Sequence, residues 1–192
     1  MRVIIYAAGV SRRLKSIVGN GLKGLLELNG KRLIEYQLDW IVMQSISEIV
    51  IVLGLEHELY KEILGNSYKG MPIIDVYNPD YKDKGNMLSL WHAREYCDTD
   101  ILFTTSDLIC DNTDIDKFNN SEDKNKILVD AKSVELFNDS DPVKVSISNN
   151  KISGIQKQGK KLLTVDGVAI GLYKFSGEGI QSIISSIEKK LP

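Results

Sequence analysis

The chain has 192 residues, of which 43% are hydrophobic, and a formal net charge of −2. This length and composition are typical of one globular domain with a sizeable core. The nearly balanced charge argues against bulk binding to nucleic acid or membrane surfaces, and no apolar run is long enough to cross a bilayer. The two cysteines form no disulfide framework and the N-terminus lacks a signal-peptide segment, so we expect a cytoplasmic protein with reduced thiols.

Strand and helix patterns alternate over the first part of the chain. The run VIIY at residues 3–6 is typical of a buried strand, and it leads into a glycine-containing loop. Further elements are predicted as strands at 48–53, 73–76 and 101–105 and as helices at 33–42, 56–64 and 86–97, the last with Asn86 as its N-cap. This alternation predicts a Rossmann-like three-layer α/β/α fold, with helices on both faces of a mostly parallel sheet and with the first and fourth of these strands as neighbours.

The second half of the chain carries antiparallel signals. Residues 143–147 and 152–155 flank Asn149-Asn150, which predicts a β-hairpin with a tight turn. The other predicted elements are a strand at 168–173, a helix at 180–187 and, within the polar segment 111–125, a short helical turn and a loop. We therefore expect a mixed, mostly parallel sheet with a β-hairpin in the second half.

A loop suited to phosphate binding follows the first strand. Its sequence AAGVSRRL, at residues 7–14, joins small residues to two arginines, and Lys23 comes next. Small residues let backbone N–H groups approach phosphate oxygens, while Arg and Lys supply the positive charge that a triphosphate needs. The dinucleotide fingerprint does not fit, because it needs three glycines and this turn has one. The Walker P-loop does not fit either, because Gly24 follows Lys23 where that motif has Ser or Thr. Ligands bind where strand order reverses, so we expect this loop beside Asp107, which follows the fourth strand.

Successive segments of the chain carry a resemblance to a known family. They read AAGVSRRL, GLKGLLELNGKRLIEYQL, YNPDYKDKGNMLSLWHAREY, DILFTTSDLICD and VDGVAIGLYKFSGEG. In this order they resemble the sugar-nucleotidyltransferase superfamily with its MobA-like NTP transferase domain, and more narrowly its phosphocholine and phosphoglutamine cytidylyltransferase-like branch. The chain departs from the family pattern at Ser11, Leu22 and Val168, where the family has glycine, proline and glutamate.

The resemblance implies a Mg²⁺-dependent cytidylyltransferase. Such an enzyme transfers CMP from CTP to a small phosphorylated acceptor, such as phosphocholine or a phosphorylated amino acid, and releases pyrophosphate. It would form a single domain, 1–192, with a nucleotide-binding half at 1–112 and an acceptor-binding half at 113–192 that is shorter at its C-terminus than in the family. The site residues carried over are Arg13 and Lys23 for catalysis, Asp107 for the metal, and Ala7, Ala8, Gly9, Val10, Ser11, Gly54, Asn86 and Ser89 for the nucleotide.

Several alternatives stay open from the sequence. The same motifs would suit a sugar-1-phosphate or cofactor nucleotidyltransferase that uses another NTP, or a catalytically silent nucleotide-binding domain. Asp107 could instead cap a turn, and Ser89 could be a buried hydroxyl bonded to its own helix backbone. Asp111 is expected to be a turn residue rather than a second metal ligand. We predict no nucleic-acid or membrane partner, and the sequence leaves the oligomeric state open.

Overall fold

The computed structural model describes residues 1–9, 22–82, 85–138, 142–157 and 162–191. Within these stretches, no helix combines the length and the apolar character that crossing a bilayer requires. The strands are β1 (Arg2–Ala7), β2 (Glu27–Leu28), β3 (Lys31–Arg32), β4 (Ile49–Leu53), β5 (Ser67–Tyr68), β6 (Met71–Tyr77), β7 (Ile101–Thr105), β8 (Lys126–Asp130), β9 (Lys144–Ser148), β10 (Lys151–Gln156) and β11 (Gly167–Phe175). The α-helices are α1 (Leu33–Ile41), α2 (His57–Leu64), α3 (Gly85–His92), α4 (Asn112–Asn120), α5 (Val134–Phe137) and α6 (Gly177–Glu188), and 3₁₀ turns span Lys23–Leu25 and Arg94–Tyr96.

One large sheet organises the fold. Its strand order is β10-β9-β11-β7-β1-β4-β6-β5, and β8 pairs with β11 off this path. The central strands β7, β1, β4 and β6 run parallel to one another, whereas β11 is antiparallel to β7, β8 and β9. The prediction that the strands at 2–6 and 101–105 are neighbours is confirmed, because β1 lies directly beside β7.

Helices cover both faces of the central strands. A strand buried on both faces needs apolar side chains at consecutive positions, and β4 supplies them. Ile51 of β4 lies in one core cluster with Leu38 of α1 and Tyr60 of α2. Val52, the next residue, lies in the second cluster with Leu90 of α3, and α6 contributes to the same cluster. The predicted Rossmann-like three-layer fold is therefore confirmed.

The predicted β-hairpin is present as β9 and β10. The two strands pair antiparallel, with Ile152 opposite Ile147. Asn149 and Asn150 join them with φ values of 50° and 58°. Positive φ at both positions is what a two-residue type I′ turn requires, and asparagine tolerates it better than most residues.

Helix α3 corrects the prediction for residues 86–97. It begins at Gly85, so Asn86 lies in its first turn and is not its N-cap. Gly85 has a φ of 60°, a left-handed value that glycine adopts easily, at the point where the chain enters the helix. The helix ends at His92 because Ala93 has a ψ of 8°, and the 3₁₀ turn at Arg94–Tyr96 takes the place of the last predicted helical turn.

The polar segment after β7 is more regular than the sequence predicted. Helix α4 has nine residues, and the carboxylate of its N-cap Asp111 accepts a hydrogen bond from the Thr113 N–H at 2.8 Å. The sequence predicted Asp111 as a turn residue, and the structure makes it the N-cap of this helix. Strand β8 was not predicted, because its residues are all only half-buried and charged residues flank it. Its pairing with β11 accounts for its formation.

A charged cluster around Asp39 ties α1 to the small strands beside it. The Asp39 carboxylate accepts hydrogen bonds from the Tyr68 hydroxyl at 2.8 Å and from the Lys69 ammonium at 2.7 Å, and it forms an ion pair with Lys31. Burial by itself raises the pKa of Asp39, but the hydrogen bonds from Lys31, Lys69 and Tyr68 outweigh it and lower that pKa to about 2.

Asp39→Asn should remove a pH-dependent part of the free energy of unfolding. Because the pKa of Asp39 is lower in the folded than in the unfolded chain, its charged form stabilises the fold above about pH 4, and this contribution is lost as the pH falls towards about 2. We expect the gap in unfolding free energy between wild type and Asp39→Asn, measured by urea titration, to be widest near neutral pH and to narrow below about pH 4. Asp116→Asn, at an exposed carboxylate of α4, is the matched control. A gap for Asp39→Asn that does not change with pH would contradict this account.

Candidate active site

The carboxyl ends of the four parallel strands meet at one edge of the sheet. Ala8 and Gly9 follow β1, Gly54 follows β4, Asn78 follows β6 and Ser106 follows β7. In open α/β sheets, ligands bind outside the carboxyl ends of the strands, where the strand order reverses. This edge is therefore the candidate active site.

Lys23 and Asp107 form an ion pair at this edge. Lys23 opens a 3₁₀ turn, and Leu22 before it is buried in the core at 4% exposure. Asp107 follows Ser106, whose N–H donates to the Tyr6 carbonyl at 3.1 Å and so extends the pairing of β7 with β1. The side chains of the pair keep 35% and 26% of their surface exposed. A cation and a carboxylate are thus held together where a ligand can reach both.

Asp107 is placed to hold a divalent cation with the help of a ligand. Across the part of the chain that the structure describes, no group of three or more His, Cys, Asp or Glu side chains could hold a metal ion. Mg²⁺ does not require such a group, since it commonly binds one or two carboxylates and completes its octahedron with phosphate oxygens and water. The donor set at Asp107 therefore fits a magnesium ion that arrives with a nucleotide's phosphates.

Gly54 lies in a place that no larger residue can occupy. A Cβ atom at this position would lie 2.6 Å from Cβ and Cγ of Tyr81 and 2.7 Å from the carbonyl oxygen of Ala8. The Tyr81 side chain therefore packs on the end of β4, beside the backbone that follows β1. The contact between Gly54 and a nucleobase stays a prediction. Its neighbour Tyr81 belongs to the segment YNPDYKDKGNMLSLWHAREY that carries the family resemblance.

A buried polar network holds α3 against the ends of β4 and β6. Asn78 is 1% exposed; its backbone N–H donates to the Leu53 carbonyl at 2.8 Å, and its side-chain amide donates to the Ser89 hydroxyl at 3.2 Å. Ser89 is thus a buried helix hydroxyl, bonded to the Asn78 side chain rather than to its own helix. Asn86 is exposed, three residues earlier on α3. Nucleotide contacts of Asn86 and Ser89 stay predictions.

The turn after β7 is braced from α1 by Gln37. This side chain is fully buried, and its Nε2 donates to the carbonyls of Thr105 and of Leu108, the latter at 2.9 Å. The two carbonyls lie on either side of Asp107 in sequence, so Gln37 fixes the turn that presents it. No motif marks Gln37, but a glutamine among the apolar positions of a helix is a detectable signal, because a buried polar group needs partners.

Part of the predicted nucleotide loop falls outside the described residues. The site residues in this part, within 10–21, are Val10, Ser11 and Arg13, with Arg12 beside them. Ala7 ends β1, Ala8 is buried behind it, and Gly9 is exposed at the carboxyl edge. The roles of Ala7, Ala8 and Gly9 in nucleotide binding stay predictions.

The known proteins that this chain resembles are nucleotidyltransferases. Residues 3–135 match the MobA-like NTP transferase domain. The choline-phosphate cytidylyltransferase of Streptococcus pneumoniae is 36% identical over 95 residues, 50% of this chain and 40% of that protein. The CTP:phosphoglutamine cytidylyltransferase of Campylobacter jejuni is 24% identical over 201 residues, 98% of this chain and 78% of that protein. A glucose-1-phosphate uridylyltransferase and a heptose 1-phosphate guanylyltransferase also match. The chain spans only 17%, 40% and 44% of the length of three of the curated relatives that it matches.

Solved structures share the fold. The inositol-1-phosphate CTP transferase from T. maritima superimposes with a TM-score of 0.78, over 94% of this chain and 72% of that one. The sequence identity is 21%, so this likeness concerns the fold alone.

Gly54→Ala should destabilise the protein by about 1–3 kcal/mol, because the added methyl group meets a backbone carbonyl that cannot move aside as a flexible side chain would. Urea unfolding measures this change. Gly9→Ala is the matched control, since a Cβ atom at Gly9 meets no atom of the described residues within 4 Å. We expect the control to stay within about 0.5 kcal/mol of wild type. Equal effects of the two substitutions would contradict the packing described for Gly54.

Proposed function

Because the chain belongs to the MobA-like NTP transferase domain family, we propose that it is a nucleotidyltransferase of the cytidylyltransferase type. It transfers CMP from CTP to a small phosphorylated acceptor and releases pyrophosphate, with Mg²⁺ as its metal cofactor. The observation that carries this proposal is the Lys23–Asp107 ion pair at the carboxyl ends of β1 and β7.

The proposed reaction is a displacement at the α-phosphorus of the nucleotide. An oxygen of the acceptor phosphate forms a bond to this phosphorus, while the bond to the oxygen bridging towards the β-phosphate breaks and pyrophosphate leaves with that electron pair. The protein needs no covalent intermediate, because positioning and charge stabilisation are enough for this chemistry. Lys23 would place its positive charge beside the phosphates, and Arg13 would hold the leaving pyrophosphate. Asp107 would hold a Mg²⁺ ion, which would neutralise phosphate charge.

The ion pair is suited to exchange its partners when a nucleotide–Mg²⁺ complex binds. Before binding, Lys23 and Asp107 neutralise each other. On binding, the Lys23 ammonium would meet phosphate oxygens and the Asp107 carboxylate would hold the cation, so neither charge would be left unpaired. The partial exposure of both side chains lets this exchange occur without a rearrangement of the strands.

Relatives support CTP as the nucleotide and a phosphorylated amine or amino acid as the acceptor. The Streptococcus and Campylobacter proteins are named for choline phosphate and for CTP with phosphoglutamine. The second candidate is transfer to a sugar 1-phosphate from another NTP, which the uridylyl- and guanylyltransferase relatives favour. In both cases Ala7, Ala8, Gly9 and Gly54 would lie along the base and ribose at the same carboxyl edge.

A pyrophosphate-release screen tests the proposal. The protein is incubated with Mg²⁺, each of the four common NTPs, and a panel of acceptors that includes phosphocholine, phosphoglutamine, inositol 1-phosphate and glucose 1-phosphate. We expect release with CTP and a phosphorylated amine or amino acid. Release only with UTP or GTP and a sugar phosphate would replace this proposal by the second candidate. Binding of CTP and Mg²⁺ in calorimetry without any turnover would indicate a catalytically silent domain.

Lys23→Ala and Asp107→Ala should each lower kcat by about 10²–10³-fold, the usual effect of removing one group that stabilises transition-state charge. Steady-state pyrophosphate release with the acceptor found in the screen measures this loss, and excess EDTA should abolish release by wild type. Lys117→Ala and Asp114→Ala are matched controls, because these residues form an exposed ion pair on α4. Wild-type rates in both Lys23→Ala and Asp107→Ala would show that this edge of the sheet is not the active site.

A further inference from the structure

The hydroxyl of Tyr60 lies buried beneath the candidate active site. Tyr60 is a residue of α2 with 1% of its surface exposed, and its ring is part of the core between α1, α2 and the sheet. The backbone N–H of Gly24 and the side chain of Ser106 are the polar groups that face the Tyr60 oxygen. A buried hydroxyl needs such partners, because leaving it unpaired away from water is costly.

The two polar neighbours of the Tyr60 hydroxyl are also the chain neighbours of the ion pair. Gly24 follows Lys23 directly, and Ser106 precedes Asp107 directly. The fit is tight, since a Cβ atom at Gly24 would lie 2.5 Å from the Tyr60 oxygen and 3.1 Å from the Ser106 Cβ. One oxygen atom therefore touches both of the segments that carry the charged groups.

The pKa of the Tyr60 hydroxyl reflects its position beside the ion pair. Burial raises the pKa of the Tyr60 hydroxyl well above its usual value, the nearby Asp107 charge adds to this, and the hydrogen bonds from Ser106 and Gly24 oppose both. The hydroxyl therefore stays protonated in the physiological range and takes no part as a base. Its function is limited to holding the groups around it.

We propose that Tyr60 is a positioning residue of the active site: its hydroxyl joins the Lys23-Gly24 segment to the Ser106-Asp107 segment and sets the distance between the ammonium and the carboxylate. This inference rests on the proposed nucleotidyl transfer. It adds a role in the active site for a core residue. That residue lies on α2, a helix with none of the residues that we expect to contact the nucleotide. The physical basis is preorganisation, since charged groups that move by about 1 Å can lose about 10²-fold in rate.

Tyr60→Phe tests the proposal, because it keeps the ring and removes only the oxygen. We expect kcat for pyrophosphate release to fall by about ten- to a hundredfold, while KM for the nucleotide changes by less than about threefold. Tyr68→Phe is the matched control: it also removes a tyrosine hydroxyl bonded to another element, but that hydroxyl donates to Asp39, away from the ion pair. The control should keep wild-type kcat. An equal loss in both variants would indicate a general structural effect and overturn the proposal.

A double-mutant cycle shows whether Tyr60 affects kcat through the ion pair or independently of it. If Tyr60 acts through the ion pair, Tyr60→Phe should cause little further loss of kcat in a Lys23→Ala background, because the group that it positions is already absent. The full ten- to hundredfold loss in that background would contradict the proposal. So would wild-type kcat in the single Tyr60→Phe variant.

Amide hydrogen exchange keeps this inference distinct from the proposed function. In Tyr60→Phe the Gly24 amide loses its acceptor, so its exchange should accelerate at least tenfold, while exchange at Ile51 in β4 stays unchanged. This readout needs no turnover. If wild type releases no pyrophosphate with any substrate, the proposed function fails, and the Gly24 exchange rate alone decides whether Tyr60 holds the segment. An unchanged Gly24 rate would overturn the positioning role even in an active enzyme.

Discussion

The surrounding structure keeps the charges of Lys23 and Asp107 together as an ion pair. Two opposite charges, each partly withdrawn from water, are stable only as long as they stay together or find new partners. The parallel pairing of β1 with β7 brings the segments after these strands to the same edge of the sheet. A nucleotide with its metal ion offers both charges new partners at once, which is why this pair is the centre of the proposed site.

Buried polar side chains from helices hold the ends of the strands in register around that pair. Gln37 of α1 binds the carbonyls that flank Asp107, Asn78 links β4 and α3, and Tyr60 of α2 touches the neighbours of both charged residues. Each of these groups lies on or beside a regular element rather than in a mobile loop. A site that depends on electrostatic preorganisation benefits from such support, because the cost of ordering its charges is met when the chain folds.

The second half of the chain approaches the site from the other side of β7. Strand β11 pairs antiparallel with β7 and connects it to β8 and to the hairpin. Gly171 of β11 has a φ of 96°, and a Cβ atom there would lie 2.8 Å from the Thr105 hydroxyl at the end of β7. This close approach places the half that we predict to bind the acceptor next to the strand that presents Asp107.

Short-range patterns in the sequence were enough to predict the central strands and the Asn149-Asn150 turn, because each follows from a local preference for burial or for positive φ. Motif resemblance added Lys23 and Asp107 as site residues, and the structure places the two in contact. Strand β8 depends on pairing with β11, which is distant in sequence, so local patterns missed it. The roles of Gln37, Asn78 and Tyr60 were decided only by the tertiary structure. A polar residue among the apolar positions of a helix, such as Gln37, signals its burial in the sequence, but only the packing of distant segments determines which buried group it meets.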